Sequence, residues 1–227
     1  MPLGRKPIFC YVTDRHALEA APSPSDVSPG DVRPLRVLSL HDSIRRAAAA
    51  GAGWIQIREK DLDTRSLVAL ARFAVAETRG ASAGVLVNDR LDVALAASAG
   101  GVHLGEKSLP LETVVAWRRS SGPSDLLIGV SCHSLESARA ADEGGADYIF
   151  FGPVFRTPSK AAFGAPQGIE RLREVCASVE IPVLAIGGVN FGNARDCIEA
   201  GASGVAAIRL FQDAKNAAEL AGCLRGI

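Results

Sequence analysis

Gln56, Arg58 and Lys60 occupy alternate positions at the end of an otherwise apolar run, Trp54-Ile55-Gln56-Ile57-Arg58-Glu59-Lys60. In a β-strand alternate residues share a face. An amide, a guanidinium and an ammonium then line one face, while Ile55 and Ile57 pack outward on the other. Such a wall binds an anion, and its charge has to act locally. The chain carries 25 basic against 25 acidic residues, so it has no net charge to attract nucleic acid or an acidic membrane.

Other short runs also end in polar groups. Val87-Asn88-Asp89-Arg90 places an amide and a carboxylate together; Asp89 is a candidate Mg²⁺ ligand, although aspartate is also a common helix N-cap, and the motif alone favours the cap. In Gly129-Val130-Ser131-Cys132-His133, alternation puts Ser131 and His133 on one face and Cys132 on the other. His133 can move a proton near neutral pH or serve as a structural histidine at a helix start. His103, inside a run between glycines, reads as core. The segment from Gly152 to Lys160 offers Thr157, Ser159 and Lys160, donors suited to phosphate oxygens or to plain solvation. Gly187-Gly188 exposes backbone N–H groups that can meet phosphate at a helix start or simply form a tight turn.

These residues need a scaffold that brings strand ends together. Short apolar runs alternate with alanine-rich amphipathic stretches, the pattern of parallel strands with crossover helices. Eight units are present, with strands expected at Ile8 to Val12, Trp54 to Arg58, Gly84 to Asn88, Gly101 to Leu104, Leu126 to Ser131, Tyr148 to Gly152, Val183 to Gly187 and Gly204 to Ile208. The α/β class and the eight repeats predict a (β/α)₈ TIM barrel in a single domain over residues 1–227, with its site at the C-terminal strand ends. The 227 residues and 48% hydrophobic content suit one such core. A Pro/Ser-rich loop insertion is expected at about 21–36, where Pro22, Pro24, Pro29 and Pro34 oppose regular structure. It would lie on the catalytic face, as a cover for the site or as an ordinary disordered insertion. Five cysteines without a Cys-x-x-Cys pair indicate neither a disulfide framework nor a zinc knuckle. With no transmembrane-length run or signal segment, the expected location is cytoplasmic.

In order and spacing these segments resemble the superfamily of thiamine phosphate synthase and the TenI-type thiazole tautomerase, from Tyr11-Val12-Thr13-Asp14-Arg15 to Phe211. The signatures are Gln56-Ile57-Arg58-Glu59-Lys60, Asn88-Asp89-Arg90, Gly101-Val102-His103-Leu104-Gly105, Ser131-Cys132-His133, Gly152-Pro153-Val154-Phe155 and Ala185-Ile186-Gly187-Gly188. The resemblance implies an enzyme of thiamine biosynthesis that takes small-molecule precursors as partners, with a homo-oligomer left open. In the synthase, Mg²⁺ assists pyrophosphate departure from hydroxymethylpyrimidine diphosphate, and a thiazole phosphate captures the pyrimidine. Carried over, Gln56, Arg58, Lys60 and Asn88 hold the diphosphate substrate and Asp89 binds the metal. Ser131 positions the substrate, Thr157, Ser159 and Lys160 grip phosphate, and Gly188 offers its N–H to the thiazole phosphate. Lys60, His133 and Lys160 are the candidate catalytic residues.

One position departs from the pattern. Synthases follow the fourth strand with Gly-Gln-x-Asp, whose acid is the second metal ligand, but this chain reads Gly105-Glu106-Lys107-Ser108. A hydroxyl is a poorer partner for Mg²⁺ than a carboxylate, and Glu106 is the candidate to compensate. The tautomerase reading, with His133 as general acid or base and no cofactor, gains from Ser108; the Thr157-Pro158-Ser159-Lys160 loop favours the synthase, which is the expectation. A phosphate-ligand sensor without turnover is a third reading.

Overall fold

The computed structural model describes residues 7–20, 32–80, 83–105, 107–157, 165–212 and 217–226. Eight parallel strands, β1 (Ile8–Val12), β2 (Trp54–Ile57), β3 (Gly84–Asn88), β4 (Gly101–Leu104), β5 (Leu127–Cys132), β6 (Tyr148–Phe151), β7 (Val183–Ile186) and β8 (Gly204–Ala207), pair in sequence order. The sheet closes through β8 against β1, with Ile8 beside Gly204 and Tyr11 beside Ala207. The expected (β/α)₈ barrel is therefore the fold.

Both faces of such a sheet are covered, which explains runs such as Tyr148-Ile149-Phe150-Phe151 that are buried throughout. One set of alternate residues fills the barrel: Cys10, Val12, Leu86, Tyr148, Phe150, Leu184 and Ala206, with Ile8, Trp54, Leu127, Ile186 and Ile208 packed against them. The other set, including Ile55, Ile57, Val85, Val87 and Val102, meets the helical ring. Alanines on the helices keep that layer thin; Ala47, Ala71, Ala74 and Ala94 are fully buried. Buried aliphatic side chains of this kind contribute roughly 1.5 to 3 kcal/mol each.

The helices are α1 (Val32–Ala50), α2 (Thr64–Glu77), α3 (Leu91–Ala96), α4 (Leu111–Ser120), α5 (Leu135–Glu143), α6 (Gly168–Ser178), α7 (Ala194–Glu199), α8 (Arg209–Gln212) and α9 (Ala217–Arg225), with a 3₁₀ segment at Arg15–Ala20. Their starts follow from local chemistry. Asp63 caps α2 by accepting the Ser66 N–H at 3.1 Å, and Ser134 caps α5 in a reciprocal box with Ser137. Of the described helices, none is long and apolar enough to cross a membrane.

Two expectations change. Of the loop anticipated at 21–36, residues 21–31 lie outside the described residues, and 32–36 belong to α1. Pro34 sits in the first turn, where a missing N–H costs no helical hydrogen bond. Pairing also stops one residue early at Ile57, Phe151, Ile186 and Ala207, while β5 is shifted to Leu127–Cys132. At β2 the cause is visible: the Arg58 N–H leaves the ladder to donate to Thr13 Oγ1 at 2.9 Å.

Candidate active site

The inward residues at the ends of β2 and β3 form one hydrogen-bonded line. Gln56 is almost fully buried and donates Nε2 to Asn88 Oδ1 at 3.2 Å, and Asn88 donates Nδ2 to Asp89 Oδ2 at 2.6 Å. A carboxylate only accepts, so the Asn88 amino group has to face Asp89 and its carbonyl has to face Gln56. The polarity of the line is thus fixed from the acid backwards.

Asp89 reaches this position through a left-handed backbone, φ 62°. Aspartate tolerates that region better than most residues, and such strain, of order 1 to 3 kcal/mol, concentrates at functional sites. The cap alternative fails here. Helix α3 begins after Arg90 with no side-chain cap, because the Asp89 carboxylate turns instead toward the end of β4. There Ser108 Oγ donates to Asp89 Oδ1. The Gly105 N–H donates to Ser108 Oγ at 2.6 Å and contacts Asp89 Oδ1 at 3.4 Å.

Ser108 therefore stands directly against Asp89. A carboxylate and a hydroxyl are both hard oxygen donors, and Mg²⁺ is commonly held by one or two carboxylates with substrate phosphates filling other positions. The pair fits a magnesium ion completed by substrate and water. Among the described residues no group of three or more His, Cys, Asp or Glu side chains converges into a closed metal cage. Glu106 lies outside the described residues.

On the neighbouring strands, Ser131 on β5 meets His103 from β4, with Nε2 at 2.9 Å from Oγ. His103 is buried, as expected of a core residue, but its role is polar: Nδ1 lies 3.1 Å from the Tyr148 hydroxyl. Burial pushes its pKa down to about 3, with Asp89 and Arg58 acting in opposite directions at smaller strength. The ring is neutral at physiological pH. Those two influences also place the Arg58 and Asp89 charges near this ring.

His133 follows β5 in the turn before α5. Its Nδ1 contacts the Gly152 carbonyl, which can only accept, so the neutral ring carries its proton on Nδ1. Gln167 holds the His133 carbonyl at 2.9 Å. Cys132 points away into the outer layer, where burial raises its thiol pKa to about 11. Thr157 is half-buried at the end of the β6 loop; Ser159 and Lys160 lie outside the described residues.

Gly187 and Gly188 sit at the end of β7 with φ of 93° and 68°. A Cβ on Gly188 would lie 2.6 Å from the Arg156 carbonyl, so glycine lets the β6 loop cross here. The expected nearness to a helix start does not hold. Helix α7 begins only at Ala194, because Asn193 accepts from the Asn190 N–H at 2.8 Å and Asn190 from the Gly192 N–H at 2.8 Å, closing turns first.

Alternation carries Gln56 and Arg58 but not Lys60, which is exposed in the turn after β2. Between them, Glu59 is buried and forms a lock that sequence reasoning missed. It accepts Arg15 Nη1 at 2.9 Å and the Arg15 backbone N–H at 3.2 Å. Asp61 takes the other Arg15 nitrogen, and that guanidinium holds its carboxyl down at about 2. The lock ties the loop after β1 to the loop after β2. His103 and Tyr148 were also missed as parts of the site; the inward parity of Gly101-His103-Gly105 was the available signal.

Fold and site together define a (β/α)₈ barrel enzyme with its polar groups gathered at the C-terminal mouth. Residues 33–211 match the family described as thiamine monophosphate synthase, and the chain belongs to that family. A thiamine-phosphate synthase of Roseiflexus sp. (strain RS-1) is 46% identical over 170 residues, 75% of this chain and 70% of the relative. One of Chlorobium luteolum is 38% identical over 221 residues, 97% and 92% of the two chains. The solved thiamine phosphate pyrophosphorylase from Pyrococcus furiosus superposes with TM-score 0.78 at 35% identity, covering 98% of this chain and 95% of that one.

Proposed function

We propose that the protein is a thiamine-phosphate synthase, joining hydroxymethylpyrimidine diphosphate to thiazole phosphate with release of pyrophosphate. The observation that carries this reading is the continuous line from Gln56 through Asn88 and Asp89 to Ser108, which sets neutral donors beside hard oxygen ligands. The names of the relatives support the synthase over the tautomerase. Asp89 and Ser108 would hold Mg²⁺, with Glu106 as a further candidate ligand. When bound, the ion offsets charge on the departing diphosphate.

The rest falls to the chain itself. Gln56, Asn88 and Ser131 orient the pyrimidine diphosphate, and Arg58, Lys60 and Lys160 neutralise its oxygens, a preorganised charge stabilisation. The C–O bond to diphosphate breaks with its electron pair leaving on oxygen, and the lone pair of the thiazole nitrogen forms the new C–N bond. Thr157 and Ser159 add donors to phosphate, and the Gly188 N–H serves the thiazole phosphate. Five free thiols suit a reducing compartment, and we place the enzyme in the cytoplasm.

The test supplies Mg²⁺ and both substrates in one arm and the thiazole carboxylate phosphate alone in another. Thiamine phosphate formed in the first arm, lost by at least a hundredfold in Asp89→Ala, is expected. Isomerisation in the second arm alone, abolished in His133→Ala, would replace the synthase by the tautomerase. The tautomerase remains the second reading because His133 is held in a single tautomer with its Nδ1 proton on Gly152.

A further inference from the structure

Tyr148 is fully buried inside the barrel, and among the described residues its hydroxyl has one hydrogen-bond partner, His103 Nδ1 at 3.1 Å. Its ring occupies the space left by Gly129, where a Cβ would lie 2.0 Å from Tyr148 Cζ. Trp54 and Phe150 flank it, with ring centroids 4.6 and 5.5 Å away. The ring cannot swing to another partner without repacking this layer.

This confinement sets the direction of a proton chain. A buried O–H without an acceptor is costly, and among the described residues Nδ1 is the acceptor offered. Tyr148 therefore donates to Nδ1, which is bare. The neutral imidazole then carries its proton on Nε2 and gives it to Ser131 Oγ at 2.9 Å. With that lone pair used, the hydroxyl proton of Ser131 turns away from His103. Ser131 is half-buried at the end of β5, so it turns into the mouth.

We propose that Tyr148 is a positioning residue that, through His103, fixes the Ser131 hydroxyl as a hydrogen-bond donor to the ligand. Ser131 then offers its proton to an acceptor atom of the ligand, a ring nitrogen or a phosphate oxygen. The inference rests on the mouth being the substrate site. The opposite tautomer would orphan the phenol proton and leave Ser131 pointing inward.

Long-range ¹H–¹⁵N spectra of the wild-type protein test the polarity without any assay of turnover. His103 should show a bare Nδ1 and a protonated Nε2, whereas His133, whose Nδ1 faces the Gly152 carbonyl, should show the reverse and serves as an internal reference. A protonated Nδ1 on His103 overturns the inference and leaves the synthase reading intact. The ligand half is tested by calorimetry with Mg²⁺-pyrophosphate and with hydroxymethylpyrimidine as separate probes. Tyr148→Phe should weaken one of them by about fivefold to tenfold, the worth of one oriented hydrogen bond, and the affected probe identifies the acceptor. In a Ser131→Ala background the same change should add nothing. An equal loss in that background, or no loss for either probe, assigns Tyr148 to packing alone and refutes the positioning role.

Discussion

Ser108→Asp converts the hydroxyl at Asp89 into a second carboxylate. Ser108 Oγ is in hydrogen-bond contact with Asp89 Oδ1, so the new acid falls within about 4 Å of the old one; at an effective dielectric of about 20 their repulsion is about 4 kcal/mol. The change also removes a donor to a charged acceptor, worth about 1.5 to 3 kcal/mol. Solvent at the mouth and proton uptake by the pair relieve part of this. A net destabilisation of about 2 to 4 kcal/mol in chelator is expected. Mg²⁺ opposes this loss, because two carboxylates bind it better than one. At a concentration about a hundredfold above its dissociation constant the ion should restore about 2.7 kcal/mol, and the wild type at the same concentration should gain less. Urea unfolding with chelator and with Mg²⁺ measures all four stabilities. Equal Mg²⁺ stabilisation of the two proteins, with no loss in chelator, would refute the idea that Ser108 and Asp89 share one cation site.

Two further outcomes follow from buried groups. His103 has its folded pKa depressed to about 3 from 6.5. Below pH of about 6.5 the unfolded chain takes up a proton that the folded one refuses, so stability is full above that pH and falls by about 1.4 kcal/mol per unit down to about 3. Urea unfolding should show about 2 kcal/mol lost by about pH 5, and His103→Gln should flatten that slope; an unchanged slope rejects a neutral buried ring. Glu59→Ala strips the partner from Arg15, whose side chain is 12% exposed against 1% for Glu59. It should cost about 3 kcal/mol in denaturant unfolding. A loss below about 1 kcal/mol would mean the pair behaves as a surface contact.

Local pattern was enough to reveal the barrel and several of its strand-end residues. A strand's period of two is written in its own sequence, so Gln56, Asn88 and Ser131 could be assigned to the inner face before any pairing was known. The same logic stopped at Lys60, because the strand ends at Ile57 when Arg58 turns its N–H to Thr13. The motif of Asp89 alone favours a helix cap, since cap and ligand both begin with the same residue beside a helix start, and the structure gives α3 no side-chain cap.

What only the tertiary structure decided are the contacts between strands. Ser108 reaches Asp89 across 19 residues, Ser131 reaches His103 across 28, and Tyr148 reaches His103 across 45. These pairings depend on the register of neighbouring strands and on the space left by Gly129, which no periodicity within one strand encodes. The sequence by itself determined the parity of the residues within each strand; closure of the sheet determined which of them touch, because hydrogen bonds act over about 3 Å and the chain spans that distance only once the barrel has formed.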